Sequence, residues 1–440
     1  MKHPELIDLY SDYLLTSFGL SSAVGMSKML DGEYSHDQIS RFLAQTTLTP
    51  LDYWKAIKPI VRKVEQDDGV IAVDDFIIDK PHSTENDIIC YHFDHKVNRN
   101  VKGINVISFL YHTALDEGQS IELPVSYEIV SKPVKYKDPV TNQEKRRSEV
   151  TKNELVRERL SVLARKNRIK FSTVLWDTWY SSNDNFDYVH KELSKYFVGA
   201  LKSNRQVALS KSEKLQGKFQ SVSAINLEPQ SRIEVWIKGL DFPVYLTKQV
   251  FTNKDESTGE LYLVSNRKEY AYEQQIMIYQ KRWKVEQFHK STKQNAALAK
   301  SPTKYEVTQS NHIFCSVIAY VKLELLKIKN CTNHFAIKGK LYLKAIQAAF
   351  KELQNLKPKG TGLTLKAQTD MPLLEHLLNL FLNNQIFDLR KVSYKDIIKK
   401  NSQSTGRRNP VLFLFVKKHK FFNNIINYYN IFAISFEFFL

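Results

Sequence analysis

The sequence predicts a mixed α/β protein: a sheet-forming middle with helical regions on either side. Three observations carry this. From Val70 to Leu201, apolar β-branched runs alternate with amphipathic helical patterns. Residues 205–268 are strand-rich and polar, while residues 1–66 and about 300–400 read as helical. In the middle, runs of strand length end on or contain aspartate, the residue type that open α/β sheets present to ligands at strand ends.

Along residues 1–66, YSHDQISRFL follows a short turn at Leu30, Asp31, Gly32 and Glu33, and Ser35 with Gln38 three residues later forms a capping-box pattern. Helix, glycine-containing turn and capped helix fit either a DNA-reading helix-turn-helix or an ordinary helical hairpin. VIAVDDFII (70–78) then reads as a strand interrupted by two aspartates, and DIICYHFDH, VKGINVISFLYHT and SIELPVSYEIV are further strands. Residues 151–168 form a basic amphipathic helix with Leu155, Leu160 and Leu163 on its buried side. FSTVLWDTWYSS is a strand closing on Asp177, DNFDYVHKELSKY a helix, and YFVGALKSN a strand.

Beyond residue 205, SRIEVWIKGL, FPVYLTKQVF and LYLVSN alternate as strands, with a turn expected at Asn253, Lys254, Asp255, Thr258 and Gly259. HIFCSVIAYVKLELLKI is apolar enough for a buried helix. After about residue 400 the chain becomes Asn-, Phe- and Lys-rich without period, which suits a poorly ordered tail.

A chain of 440 residues predicts two or three domains. Its net charge of +17 favours a polyanionic partner, with counterion release from nucleic acid as the usual source of affinity. The cations are spread over the chain rather than gathered on one amphipathic helix, so no membrane partner is expected. Three widely separated cysteines, Cys90, Cys315 and Cys331, suit neither a disulfide framework nor a structural zinc site, and fit a reducing cytoplasm. The N-terminus lacks the features of a signal peptide. FFNNIINYYNIFAISFEFFL approaches membrane-span length but carries four Asn and a Glu, against a span.

The chemistry-bearing segment is YQKRWKVEQFHKSTK. It sets Tyr279, Arg282, Glu286 and Lys293 at offsets of three, seven and fourteen. On one continuous helix these fall within a sector of about 60°, with Met277, Val285 and Phe288 opposite. A lone carboxylate among cations suits a metal ion flanked by phosphates. Two strand-end acids, Asp74 or Asp75 and then Asp177, complete a possible carboxylate triad, and three carboxylates can hold two divalent cations for in-line phosphoryl displacement. Each acid also has an ordinary explanation: Asp177 as a turn former, Glu286 as a surface partner of Lys290 at i, i+4.

These residues resemble the insertion-sequence 4 family of DDE transposases. Tyr-x2-Arg-x3-Glu-x6-Lys, filled by Tyr279, Arg282, Glu286 and Lys293, is similar to that family's signature. VIAVDDF and VLWDTWYSS resemble its first and second aspartate segments, and the likeness covers roughly residues 65–325. It implies an RNase H-like catalytic core, a mixed sheet flanked by helices, with a β-strand insertion between the second aspartate and the glutamate. It further implies cut-and-paste transposition with two Mg²⁺ (or Mn²⁺) ions held by Asp74, Asp177 and Glu286.

The implied partners are double-stranded DNA, as transposon inverted-repeat ends and target, and a second copy of the chain in a homodimer on DNA; the implied location is the cytoplasm, at the nucleoid. Tyr279, Arg282 and Lys293 take the family's DNA-contacting roles. Trp283 beside them would stack on a base or pack in the core. The family's Thr two residues after the first aspartate is replaced by Phe76 (from Asp74) or Ile77 (from Asp75). The choice between Asp74 and Asp75 therefore stays open, with Asp74 preferred.

The expected organisation is a helical region over 1–66, the first part of the core over 67–204, the β-rich insertion over 205–268, the last part of the core with Glu286 over 269–325, a helical region over 326–400 and a tail over 401–440. Another RNase H-like nuclease would share the acids without needing the Tyr-Arg-Glu-Lys face. An inactive remnant would keep only DNA binding.

Overall fold

The computed structural model describes residues 3–355 except 95–96, 229 and 253–255; the expectations for the rest of 326–400 and for the tail at 401–440 lie outside the described residues. The chain begins with four helices, α1 (Pro4–Thr16), α2 (Ala23–Met29), α3 (His36–Gln45) and α4 (Pro50–Val64). Each start is fixed locally. The Ser35 hydroxyl accepts the Gln38 N–H at 3.3 Å while the Gln38 side chain accepts the Ser35 N–H at 2.8 Å, and Thr49 with Asp52 forms the same reciprocal cap on α4. Asp31 and Gly32 turn the chain between α2 and α3 with φ of 49° and 82°. Ile39, Phe42 and Leu43 bury one side of α3, whereas His36, Asp37, Ser40 and Arg41 stay exposed.

These helices are bolted to α10 (Glu306–Asn330), the buried helix expected around HIFCSVIAYVKLELLKI. Tyr10 shares a 3.0 Å hydrogen bond with His312. Asn311 donates to the Leu43 and Thr46 carbonyls at 2.8 and 2.5 Å. Helix α11 (His334–Asn355) follows. Cys90, Cys315 and Cys331 are all free thiols. Among the described residues no helix is long and apolar enough to cross a membrane.

The sheet is built from β1 (Val70–Asp79), β2 (Cys90–Asp94), β3 (Arg99–Ala114) and β4 (Ser120–Ile129), followed by β7 (Thr173–Trp176) and β8 (Tyr196–Leu201). β3 pairs antiparallel with β1, β2 and β4. β7 runs parallel to β1 and β8 parallel to β7. An antiparallel trio extended on the side of its first strand by two parallel strands is the mixed sheet of an RNase H-like core. The crossover from β4 to β7 passes through a separate hairpin, β5 (Val134–Lys137) with β6 (Glu144–Arg147), and through α5 (Lys152–Ser161); the crossover from β7 to β8 holds α6 (Asn183–Asp187). β7 is buried along its whole length, as a parallel strand covered on both faces must be.

The polar strands beyond residue 205 continue this sheet. They are β9 (Gln206–Ala208), β10 (Gln220–Ser221) after the short α7 (Lys211–Leu215), β11 (Arg232–Ile237), β12 (Val244–Thr252) and β13 (Thr258–Ser265). β13 pairs with β8, so the order runs β10-β9-β11-β12-β13-β8-β7-β1-β3-β2, with β4 also on β3.

Four expectations need correction. β1 does not end at Asp74 or Asp75; it continues to Asp79 because β3 pairs with it along its full length. Thr258 and Gly259 are not turn residues but open β13, opposite Thr252 and Phe251. Leu155 is only half-buried, and Val156 takes the buried place beside Leu160 and Leu163. The helix carrying the signature is two helices, α8 (Tyr272–Gln280) and α9 (Trp283–Asn295), broken at Lys281 and Arg282; Met277, on α8, is 58 % exposed rather than packed.

Alternation along β1 sorts its side chains. Val70 and Ala72 join an apolar cluster with Ile276 and Tyr279 of α8 and Val285 and Phe288 of α9. Ile71 and Val73 join the larger core on the other face, with Val156 and Leu160 of α5. Asp74 and Phe76 continue the first row, Asp75 the second.

Candidate active site

Asp74 sits on β1 just beyond the stretch where β7 pairs with it, and Asp177 is the residue after β7. Two adjacent parallel strands thus bring two carboxylates to one edge. α9 covers this edge. Its His289 hydrogen-bonds Ser108 at 2.8 Å and lies against the Phe76 ring, centroids 4.1 Å apart. Ser108 is the β3 residue opposite Asp74, and its hydroxyl donates to the Asp74 carbonyl at 3.1 Å. This fastening turns the first turn of α9, with Glu286, toward the strand ends.

Between the acids lies Arg282, at the break between α8 and α9. Its guanidinium is 3.3 Å from Asp74 Oδ2 and 3.2 Å from Glu286 Oε1. Glu286 therefore pairs with Arg282 and not with Lys290, whose ammonium lies 5.3 Å over the Phe335 ring. Arg282 is buried, and its Nε has no hydrogen-bond partner. Burial and the neighbouring Asp177 charge push the Asp74 carboxyl up to about 7, although Arg282 and the Asp75 amide pull the other way. Burial likewise raises Asp177, against the Trp179 amide, which donates to its Oδ1 at 2.9 Å. The edge carries more negative charge than one arginine compensates.

Asp75 is used differently. Its carboxylate accepts from Asn105 at 2.6 Å, from Lys152 at 2.7 Å and from the Tyr180 hydroxyl at 2.7 Å. Burial alone would raise it, yet Lys152 and these hydrogen bonds hold it below the usual carboxylate range. Asp75 braces α5 against the sheet, whereas Asp74 faces Asp177 and Arg282.

The remaining signature residues are less open than one solvent-facing helix stripe would make them. Tyr279 is buried, its ring 5.7 Å from the Arg282 guanidinium, and burial pushes its phenol up to about 12. Lys293 donates to the Ile77 carbonyl at 2.8 Å. Trp283 is 55 % exposed, which excludes core packing, and Arg282 stands 5.3 Å over its ring. Lys152, Asn105, Tyr180, Ser108 and His289 belong to this neighbourhood but carry no signal in the sequence beyond Tyr180, three residues after Asp177.

A metal can be judged by the donor set. Hard carboxylate oxygens on Asp74 and Asp177, with an excess of negative charge, fit a divalent cation such as Mg²⁺. Glu286 is turned to Arg282, and among the described residues no three acidic, His or Cys side chains stand close enough together to hold an ion. Glu286 would join the donor set only with Arg282 displaced.

Comparison with known families gives two matches. Residues 3–218 match the model of a DDE superfamily endonuclease, and residues 140–322 match that of a transposase DDE domain. Together they support a DDE transposase with nuclease-type activity on DNA. No curated protein matches the chain.

Proposed function

We propose that this protein is a DNA transposase of the insertion-sequence 4 type, which cuts the inverted-repeat ends of its element and joins them to target DNA by a cut-and-paste route. The observation that carries the reading is the pair Asp74 and Asp177: half-buried on adjacent parallel strands, Asp74 within β1 just past its pairing with β7 and Asp177 just after β7, with Glu286 across Arg282. In this reading Asp74, Asp177 and Glu286 are the catalytic and metal-holding acids. Two Mg²⁺ (or Mn²⁺) ions, when bound, would supply activation of the attacking water or 3′ hydroxyl and neutralisation of the leaving oxygen.

The chain's own groups do the rest. Asp74 must lose a proton near pH 7 before it can hold a cation. Arg282 keeps Asp74 and Glu286 apart until a DNA phosphate draws its guanidinium away. The Tyr279 phenol, protonated at neutral pH, would donate a hydrogen bond to that strand, Lys293 would neutralise a phosphate and Trp283 would stack on a base. The helices over 1–66 would grip the DNA, and a homodimer would pair two ends at the nucleoid. The region boundaries set out from the sequence belong to the same proposal.

Strand transfer is the test, because a nuclease that only cuts cannot do it. The protein, pre-cleaved element ends and a circular target are incubated with Mg²⁺; joined products are expected, and cutting without joining would favour another RNase H-like nuclease. The Arg282 bridge favours a second reading, an inactive copy that only binds DNA; it predicts bound ends with neither cutting nor joining.

A further inference from the structure

A cleft of about 480 Å³ opens beside the acid edge. One wall is the loop that leaves Asp177, with Trp179, Ser182 and Asn183; the other is the segment after β8, with Lys202 and Arg205, and Lys238 after β11 closes it. The loop is tied to the acid itself, for the Ser181 hydroxyl donates to the Asp177 carbonyl at 3.0 Å. Asn183 cross-braces the walls: its amide donates to the Lys238 carbonyl at 3.0 Å, and its oxygen accepts from Arg205.

No acid lines the cleft. Among the described residues, none of Lys202, Arg205 and Lys238 has a carboxylate within ion-pair distance, although lysines and arginines elsewhere, such as Lys152, Lys191 and Lys322, are paired. Lys202 and Lys238 are exposed, and Arg205 is half-buried. Three uncompensated cations around one concavity attract an anion with several acceptor oxygens. The volume lies within the range of about 300–1,000 Å³ of ligand-sized pockets, room for a sugar–phosphate unit rather than a lone ion.

We propose that this cleft seats a backbone phosphate of the bound DNA next to the bond cut at Asp74 and Asp177, held by Lys202, Arg205 and Lys238 without reading sequence. This rests on the proposed DNA-cutting function and adds a second grip on the Asp177 side, away from the signature residues on α8 and α9. Phosphate contacts of this kind fix register and orientation rather than specificity.

The test compares two double variants of the full chain with metal chelated, so that no cutting intervenes. Lys202→Ala with Lys238→Ala removes two cleft charges. Lys166→Ala with Lys170→Ala removes two exposed charges ahead of β7, at the opposite end of that strand from Asp177. Affinity for labelled duplexes of two unrelated sequences is followed against salt. The cleft pair is expected to lower the salt slope by about 1, for the one phosphate seated there, and equally on both sequences, with the control pair changing it far less. An unchanged slope in the cleft pair, or equal losses in both pairs, overturns the cleft. Wild-type protein that binds neither duplex overturns the DNA-cutting reading itself, and the cleft with it.

Discussion

Replacing Asp74 by Asn should make the metal-free protein more stable above neutral pH. Folding moves this carboxyl from 3.8 to about 7, by burial and by the charge of Asp177. The folded state therefore keeps its proton over a window in which the unfolded chain has lost it. Stability from this group is complete below pH 3.8 and is lost as pH rises to 7. At about 1.4 kcal/mol per pH unit, the ionised group costs the fold about 4 kcal/mol at pH 8. Asn removes that charge and relieves Asp177, but both Asp74 oxygens accept hydrogen bonds, from the Asp75 amide and from Arg282, and the single Asn oxygen can replace only one of them. Roughly half the figure, about 2 kcal/mol, should remain. Over the unit Met1–Gln354, at about 2.1 cal/mol/K per residue, this is a rise in Tm of about 3 °C. Differential scanning calorimetry in chelator at pH 8 and pH 5 measures it. The gain should be present at pH 8 and mostly gone at pH 5, and added Mg²⁺ should stabilise the wild type more than the variant. An Asn variant less stable than wild type at pH 8, or a difference indifferent to pH, would refute the account of the acid edge.

Two further outcomes follow from the same contacts. Lys152→Met strips Asp75 of its cation but leaves Asn105 and Tyr180, and the pair is partly exposed, so it should cost about 2 kcal/mol in urea unfolding, less than a fully buried pair would; a loss below experimental error would mean that Asp75 is not held by charge. Arg282→Ala should weaken binding of element ends and lower the salt slope by about 1, read by fluorescence anisotropy, while an unchanged slope would show that the guanidinium does not meet phosphate.

Much of the fold was legible because period and length carry it. The alternation in VIAVDDFII is enough to set residues 74 and 75 on opposite faces, and Trp176 followed by Asp177 marks a strand end. What stayed hidden depends on partners far along the chain. No Pro or Gly marks the break at Lys281 and Arg282, which coincides with the pull of Asp74, 208 residues away. That Asp75 braces α5 could not be read from the sequence, since only its contacts with Lys152, Asn105 and Tyr180 reveal it. β5 and β6 escaped notice because a charged two-stranded hairpin has no apolar alternation to read. The cleft cations are scattered in sequence and meet only through the β8–β9 and β11–β12 connections.

Whether Glu286 serves metal-dependent cutting is decided by cleavage of labelled DNA spanning the junction of the element, with and without Mg²⁺, by the wild type and by Glu286→Gln. Metal-dependent nicking at the element end is expected from the wild type, and end binding without nicking from the variant. Full cutting by Glu286→Gln, or cutting by the wild type in chelator, would contradict that role.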